Sequence, residues 1–221
     1  MIFKTDKDIL KFLVDNKENF GEFHLEAVTQ TLNAVDHIVK NNVEGCLIEI
    51  GVYKGIMVIA MIAKLLQLNV LDREIHLYDT FSGMTEPSDI DIDPSNVSAS
   101  NKFDKILCYC TLDDVKTNIS MMSYPSDKII YHKGDIRKCD ISLIPSKISF
   151  LRLDTDFYDS TKFELNFFEP NVVNNGIITL DDYNWWVGCT KATDEYIEQL
   201  HYKVMKHTMK PHGMWWIKTQ S

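Results

Sequence analysis

The sequence predicts an α/β protein built on an open, mostly parallel sheet. Three observations predict it. Short apolar runs that read as buried strands alternate with longer helical patterns. Two of those runs, Ile148 to Leu153 and Gly176 to Leu180, end in carboxylates: Asp154-Thr155-Asp156 after the first and Asp181-Asp182 after the second. A third run, Cys46 to Val52, passes through Gly51-Val52-Tyr53-Lys54-Gly55 into an apolar helix. In an open parallel sheet, ligands bind just outside the carboxyl ends of the strands. Four aspartates gathered there repel one another unless a cation lies between them, and a hard divalent ion such as Mg2+ prefers oxygen ligands. Acidic residues also end strands and start turns as a matter of course. Two such pairs, each closing an apolar strand, favour a site.

Composition narrows the class. The chain has 221 residues, 45% hydrophobic and 25% charged, with a formal charge of −9, ordinary values for one globular domain spanning 1–221. The acidic balance argues against nucleic acid as a partner, because phosphate neutralisation needs clustered Lys and Arg. Five cysteines (Cys46, Cys108, Cys110, Cys139 and Cys189) form no Cys-x-x-Cys pair. Reduced thiols in a cytoplasmic protein fit this better than a disulfide scaffold or structural zinc. Charges at Lys4, Asp6, Lys7 and Asp8 do not suit a signal peptide. The longest apolar run, Ile56 to Leu68, is interrupted by Lys64 and Gln67 and is shorter than the roughly 20 residues of a membrane span. No membrane partner is expected.

Along the chain, residues 6–18 and 23–40 read as helices, the second amphipathic, and form an N-terminal extension over 1–44. A cover for the sheet, a lid and an oligomer contact all suit it. The core, 45–221, starts at the strand before Gly51. Glycines allow close backbone approach, and a helix N-terminus offers free N–H groups; a tight strand-to-helix turn needs glycine equally. The loop is neither Gly-x-Gly-x-x-Gly nor a P-loop. The next strand, 74–78, ends in Asp79, which suits a ribose diol or a turn. Residues 82–103, rich in Ser, Asp, Pro and Asn, read as a solvated, mobile loop over the site, without the EF-hand pattern. Thr111, followed by Asp113 and Asp114, marks a helix start over 111–123. The strand 128–132 leads to Asp135, placed either against an adenine edge or in a turn beside Gly134. A helix over 160–168, a turn at Asn174-Asn175-Gly176, a helix over 188–201 and a terminal hairpin around Pro211-His212-Gly213 complete the reading.

The stretches 49–55, 78–84 (Tyr-Asp-Thr-Phe-Ser-Gly-Met), 151–161 (Leu-Arg-Leu-Asp-Thr-Asp-Phe-Tyr-Asp-Ser-Thr) and 178–183 (Ile-Thr-Leu-Asp-Asp-Tyr) closely resemble the macrocin O-methyltransferase family of class I S-adenosylmethionine-dependent methyltransferases. The resemblance runs from about Gly45 to Tyr196. It implies a Rossmann-like, mostly parallel seven-stranded sheet with helices on both faces and a C-terminal antiparallel hairpin. It implies an O-methyltransferase using S-adenosylmethionine and Mg2+ on sugar hydroxyls of natural products, acting as a homodimer or higher homo-oligomer. By the same resemblance Glu49, Gly51 and Gly55, with Tyr53, meet the methionine part of the cofactor. Asp79 holds its ribose, and Phe81 and Ser82 line the same pocket; Thr80, Asp135 and Asp154 are counted with them as expected cofactor-binding residues. Asp154, Asp181 and Asp182 are implied as metal ligands and Asp156 as general base. Thr155 and Phe157 stand where the family often has Gly and Met, which leaves the carboxylates intact.

The chemistry suits these residues. A sugar hydroxyl is a poor nucleophile near neutral pH; a metal ion lowers its pKa and a carboxylate takes the proton. An Asp-x-Asp pair on an extended strand puts both side chains on one face, so Asp154 and Asp156 are expected to share a site. His24, His76 and His132 lie outside any motif and read as structural. Of Trp185 and Trp186, one is expected to line the acceptor pocket, the alternative being packing against the sheet. A catechol or other vicinal diol suits the same metal chemistry, and a non-catalytic cofactor-binding protein is the reading from another class.

Overall fold

The structure, a computed structural model, describes residues 3–106 and 108–219. Seven strands form one sheet in the order β3-β2-β1-β4-β5-β7-β6. They are β1 (Cys46–Ile50), β2 (Ile75–Asp79), β3 (Ile129–Lys133), β4 (Ile148–Leu153), β5 (Val172–Leu180), β6 (His207–Thr208) and β7 (Met214–Ile217). The first five run parallel, and β7 pairs antiparallel with β5, aligning Leu180 with Met214. This is the expected mostly parallel seven-stranded sheet with a closing antiparallel hairpin. The order reverses between β1 and β4, so the carboxyl ends of β1, β2, β4 and β5 open on one crevice.

Helices cover both faces. On one side lie α1 (Asp6–Asp15), α2 (Lys17–Phe20), α3 (Leu25–Lys40), α4 (Ile56–Gln67) and α5 (Leu112–Ser120); on the other lie α6 (Tyr158–Phe167) and α7 (Val187–Gln199). Every residue of α4 from Ile56 to Leu65 is buried, because α1 and α3 pack over its outer side. That arrangement explains an apolar run with no polar stripe. Burying each of its Ile and Leu side chains stabilises the fold by about 1.5–3 kcal/mol. Lys64, buried on that helix, is neutralised from the extension by Asp6 at 2.8 Å and Asp36 at 3.3 Å. Both α1 and α5 begin with a capping box, Thr5 with Asp8 and Thr111 with Asp114, in which side chains satisfy N–H groups that the first helical turn leaves free. No helix among the described residues is long and apolar enough to cross a membrane.

Two local expectations are corrected. Asn174-Asn175-Gly176 is not a turn before β5 but lies within it. The pairing shifts from Ile148↔Val172 to Phe150↔Ile177, so β5 bulges there, and Asn175 takes the left-handed backbone at φ 64°. Its N–H donates to the Lys218 carbonyl at 2.8 Å, so the C-terminal chain supports the irregularity.

The long polar segment after β2 is exposed over much of its length but anchored by buried carboxylates rather than solvated throughout. Asp91 has no exposed surface. Its carboxylate accepts from Ser88 N (2.7 Å), Ser88 Oγ (2.8 Å) and Tyr158 N (2.8 Å). Asp93 accepts from the N–H groups of Ser95 and Val97 at 2.9 Å and pairs with Lys102. Buried carboxylates of this kind are tolerated because donors surround them. The segment is thereby fastened to the start of α6, and the Val187 N–H, at the start of α7, donates to the Ile92 carbonyl at 2.9 Å.

Candidate active site

The glycine loop after β1 is fixed by backbone contact. A Cβ on Gly51, whose φ is 84°, would stand 1.9 Å from the Asp154 carbonyl oxygen, so β4 itself demands glycine there. Gly55 (φ 91°) is the N-cap of α4. Asp79 ties this loop to β2. Its Oδ2 accepts from Val52 N at 2.7 Å and Tyr53 N at 3.0 Å, and its Oδ1 accepts from Phe81 N at 2.7 Å. Asp79 therefore holds the turn and also lines the crevice.

That crevice encloses a cavity of about 230 Å3. Of the residues expected to bind a cofactor, Gly51, Tyr53, Asp79, Thr80 and Asp154 line it, together with Asp156. The others stand elsewhere. Glu49 is buried behind it, with Oε1 2.6 Å from Arg152 Nη1 and Oε2 without a partner. Phe81 is packed in the core and Ser82 is exposed. Asp135 caps a single 3-10 turn and is clasped by Arg137, with Nε–Oδ1 at 2.9 Å and Nη2–Oδ2 at 2.8 Å. Its neighbours Gly134 and Ile136 meet the cavity instead, as do Tyr78, Met84 and Cys108.

Beyond this cavity the strand ends gather acids around one cation. Arg152, on β4 and 1% exposed, donates to Glu49, to Asp154 Oδ2 at 2.7 Å and to Asp181 Oδ1 at 2.5 Å. Burial pushes the Asp154 carboxyl up to about 6, and repulsion from Asp181 adds to it. Asp156 is pushed up to about 7, first by burial and then by Asp154, against the pull of a hydrogen bond from Trp186. Asp182, 6% exposed, is raised well above the usual carboxylate range by burial and by Asp156.

Asp156 reaches the cluster by an unexpected route. The strand stops at Leu153, and Asp156 adopts the left-handed backbone at φ 66°, so alternation along a strand does not place it. Most L-residues would lose about 1–2 kcal/mol in that conformation, Asp less. Its N–H donates to Asp182 Oδ2 at 3.1 Å, and its Oδ1 accepts from Trp186 Nε1 at 2.6 Å. Trp186 is thus buried packing with a polar task, whereas Trp185 is 41% exposed beside the His212 ring.

The donor set fits a divalent cation. Carboxylates outnumber their one buried guanidinium; burial first, and then mutual repulsion, holds several of them toward the protonated form, and a divalent ion would offset both. Among the described residues, the ligand atoms that lie within 4.8 Å of one another belong to Asp181, Asp182 and His212. Asp154 stands outside that trio, with Oδ2 on Arg152. His212 was not foreseen; the signal for it is the β5–β7 register, which puts the Pro211-His212-Gly213 turn just past Leu180↔Met214, beside Asp181.

Comparisons with known proteins bear on the family and the fold. A family model described as Macrocin-O-methyltransferase (TylF) matches residues 21–218. The demethyldecarbamoylnovobiocin O-methyltransferase of Streptomyces niveus is 26% identical over 200 residues, covering 90% of this chain and 75% of that protein. The mycinamicin III 3''-O-methyltransferase of Micromonospora griseorubida is 24% identical over 165 residues, covering 74% of this chain and 65% of that one. Among solved structures, the O-methyltransferase NovP superposes with a TM-score of 0.79 at 24% identity, covering 89% of this chain and 81% of that one. The calicheamicin methyltransferase CalS11 superposes at 0.68 and 17% identity, covering 94% and 85%. At such identities the structural likeness establishes the fold.

Proposed function

The chain belongs to the macrocin O-methyltransferase family, and we propose that it moves the methyl group of S-adenosylmethionine to a hydroxyl of a sugar or glycosylated natural product with the help of Mg2+. The observation that carries this is the junction at Asp154-Thr155-Asp156, which lines the cavity on one side and belongs to the acidic cluster on the other. A cofactor seated over Gly51, Tyr53, Thr80 and Asp79 would face an acceptor held at Asp181 and Asp182. The relatives in Streptomyces niveus and Micromonospora griseorubida are named for demethyldecarbamoylnovobiocin and mycinamicin III, and one in Streptomyces olivaceus is named for a rhamnosyl tetracenomycin, which supports a glycosylated acceptor. A homo-oligomer, as the family resemblance implies, belongs to the same proposal.

The roles follow from chemistry. Asp181 and Asp182, with Asp154 beside them in the same charge cluster, would hold a divalent ion, and the chemistry it would supply there is to make an acceptor hydroxyl more acidic. Asp156 then accepts the hydroxyl proton at Oδ2, since Oδ1 is already engaged by Trp186. Burial and the neighbouring Asp154 raise its affinity for a proton, which suits that role. The remaining task is alignment of oxygen, methyl carbon and sulfur, which the rigid strand ends supply.

Asp156→Asn tests this reading. Calorimetry with S-adenosylmethionine and its demethylated product should show binding unchanged within about threefold, while turnover falls by at least about 100-fold, the usual scale of general-base catalysis. Full turnover in that variant removes Asp156 from the mechanism. Acceptor screening with and without Mg2+ should include deoxysugar glycosides and catechols.

A further inference from the structure

His212 has no role in the mechanism above, yet the fold positions it with care. It sits in the turn between β6 and β7, and two hydrogen bonds, one from the backbone and one from the His212 ring, clamp that turn to the loop after β5. The Gly213 N–H donates to the Tyr183 carbonyl at 2.7 Å, and His212 Nδ1 lies 2.7 Å from the Asp181 carbonyl oxygen. Gly213 is required for this approach. Its φ is 102°, and a Cβ there would stand 3.0 Å from that same Asp181 oxygen and 2.5 Å from Met209 Cε.

A carbonyl oxygen can only accept, so Nδ1 carries a proton, and in the neutral ring Nε2 is then the nitrogen that offers a lone pair. A neutral imidazole whose other nitrogen donates to a backbone carbonyl is the arrangement that metal-bound histidines use. The ring is held from two further sides, by His24 with centroids 5.0 Å apart and edge-to-face, and by Trp185 at 5.2 Å. One of its nitrogens and a carboxylate oxygen from each of Asp181 and Asp182 lie within 4.8 Å of one another.

Taking as premise that a divalent cation serves this methyltransferase site, we infer that His212 is a nitrogen ligand of that cation alongside Asp181 and Asp182, and that it tilts the site from Mg2+ toward first-row transition ions. Mg2+ is hard and favours an all-oxygen shell, whereas imidazole suits the transition series. Mn2+ accepts both donor types and is paramagnetic, which makes it the probe.

The experiment is pulsed EPR of Mn2+ bound to the full chain with the demethylated cofactor product present, on the wild type, His212→Gln and His212→Phe. The expected result is a 14N coupling from a directly bound imidazole in the wild type, absent in both variants. Mn2+ affinity should fall on the order of 10-fold in the variants, with Mg2+ affinity falling less. Binding of the cofactor product by calorimetry reports that each variant is folded. Mn2+ bound without a nitrogen coupling, or with one that persists unchanged in both variants, overturns the assignment of His212 and leaves the metal reading standing. No binding of either ion by folded wild-type protein overturns the metal reading and this inference together.

Discussion

Arg152→Met leaves three carboxylates without their shared partner. The guanidinium is 1% exposed and touches Glu49 at 2.6 Å, Asp154 at 2.7 Å and Asp181 at 2.5 Å. Each charge-assisted hydrogen bond is worth about 1.5–3 kcal/mol, but the sum overstates the loss. The Asp154 and Asp181 side chains keep 30% and 16% of their exposure and can turn to water; Glu49 keeps 2% and cannot. The cost is therefore that of stranding one buried carboxyl, which burial already pushes up to about 8 so that it can take a proton; breaking such a buried pair costs about 3–5 kcal/mol, a large share of a total stability of about 5–15 kcal/mol. With a urea m-value of about 2–3 kcal/mol per molar for a chain this size, the midpoint should fall by about 1–2.5 M. Urea unfolding followed by tryptophan fluorescence, without cofactor, measures it. The double variant Arg152→Met with Glu49→Leu should recover at least half of the loss, because the stranded charge is gone. A midpoint shift under about 0.3 M, or a double variant whose losses simply add, would refute the view that one buried guanidinium organises these acids.

Two further outcomes are expected. Gly188→Ala places a Cβ 1.9 Å from Asp91 Oδ1 and 3.0 Å from Tyr158 Cβ; overpacking should cost about 1–3 kcal/mol and make the segment 85–106 protease-sensitive in a limited-digestion time course, and an unchanged digestion pattern would show that Asp91 does not fasten it. Burial, with the charge of His76 adding, pushes the His132 ring down to about 4, so the unfolded chain protonates first, near 6.5; its contribution to stability is full above that pH and is lost as pH falls toward 4, and His132→Phe should flatten urea midpoints measured at pH 7, 5.5 and 4.5, parallel profiles being the contrary result.

The parts of the fold legible in the sequence are those whose signal is local. The strand β4 runs from Ile148 to Leu153 as its apolar run does, and α5 starts at Thr111 because Thr with Asp114 three residues on forms a capping box. The misreadings have tertiary causes. Asn174-Asn175-Gly176 does carry turn chemistry, visible in the left-handed Asn175, but pairing with Lys218 absorbs it into a bulged strand. Asp91 belongs to a segment whose composition reads as solvated, and only the donors converging from Ser88 and Tyr158 make its burial tolerable. No window of sequence contains both sides of such a contact.

The site divides the same way, with one difference. The acids at strand ends were legible because position at a strand's carboxyl end is a local property. The partners that set their charge, Arg152, Trp186 and His212, act across the chain. Two of these still left a trace. In Cys46-Leu47-Ile48-Glu49-Ile50 and Ile148-Ser149-Phe150-Leu151-Arg152-Leu153, an acid and a base each sit one residue from the end of an otherwise buried strand. A lone charge cannot be buried unpaired, so each implies an opposite charge nearby, and adjacent parallel strands that end together align the two. The structure pairs them in register, Glu49 with Arg152. The Asp181 and His212 neighbours follow from the β5–β7 register in turn. Arg152 therefore belongs with the acids whose motif it shares: the same strand that carries Asp154 to the crevice also carries the positive charge that lets Glu49, Asp154 and Asp181 stand together at its floor.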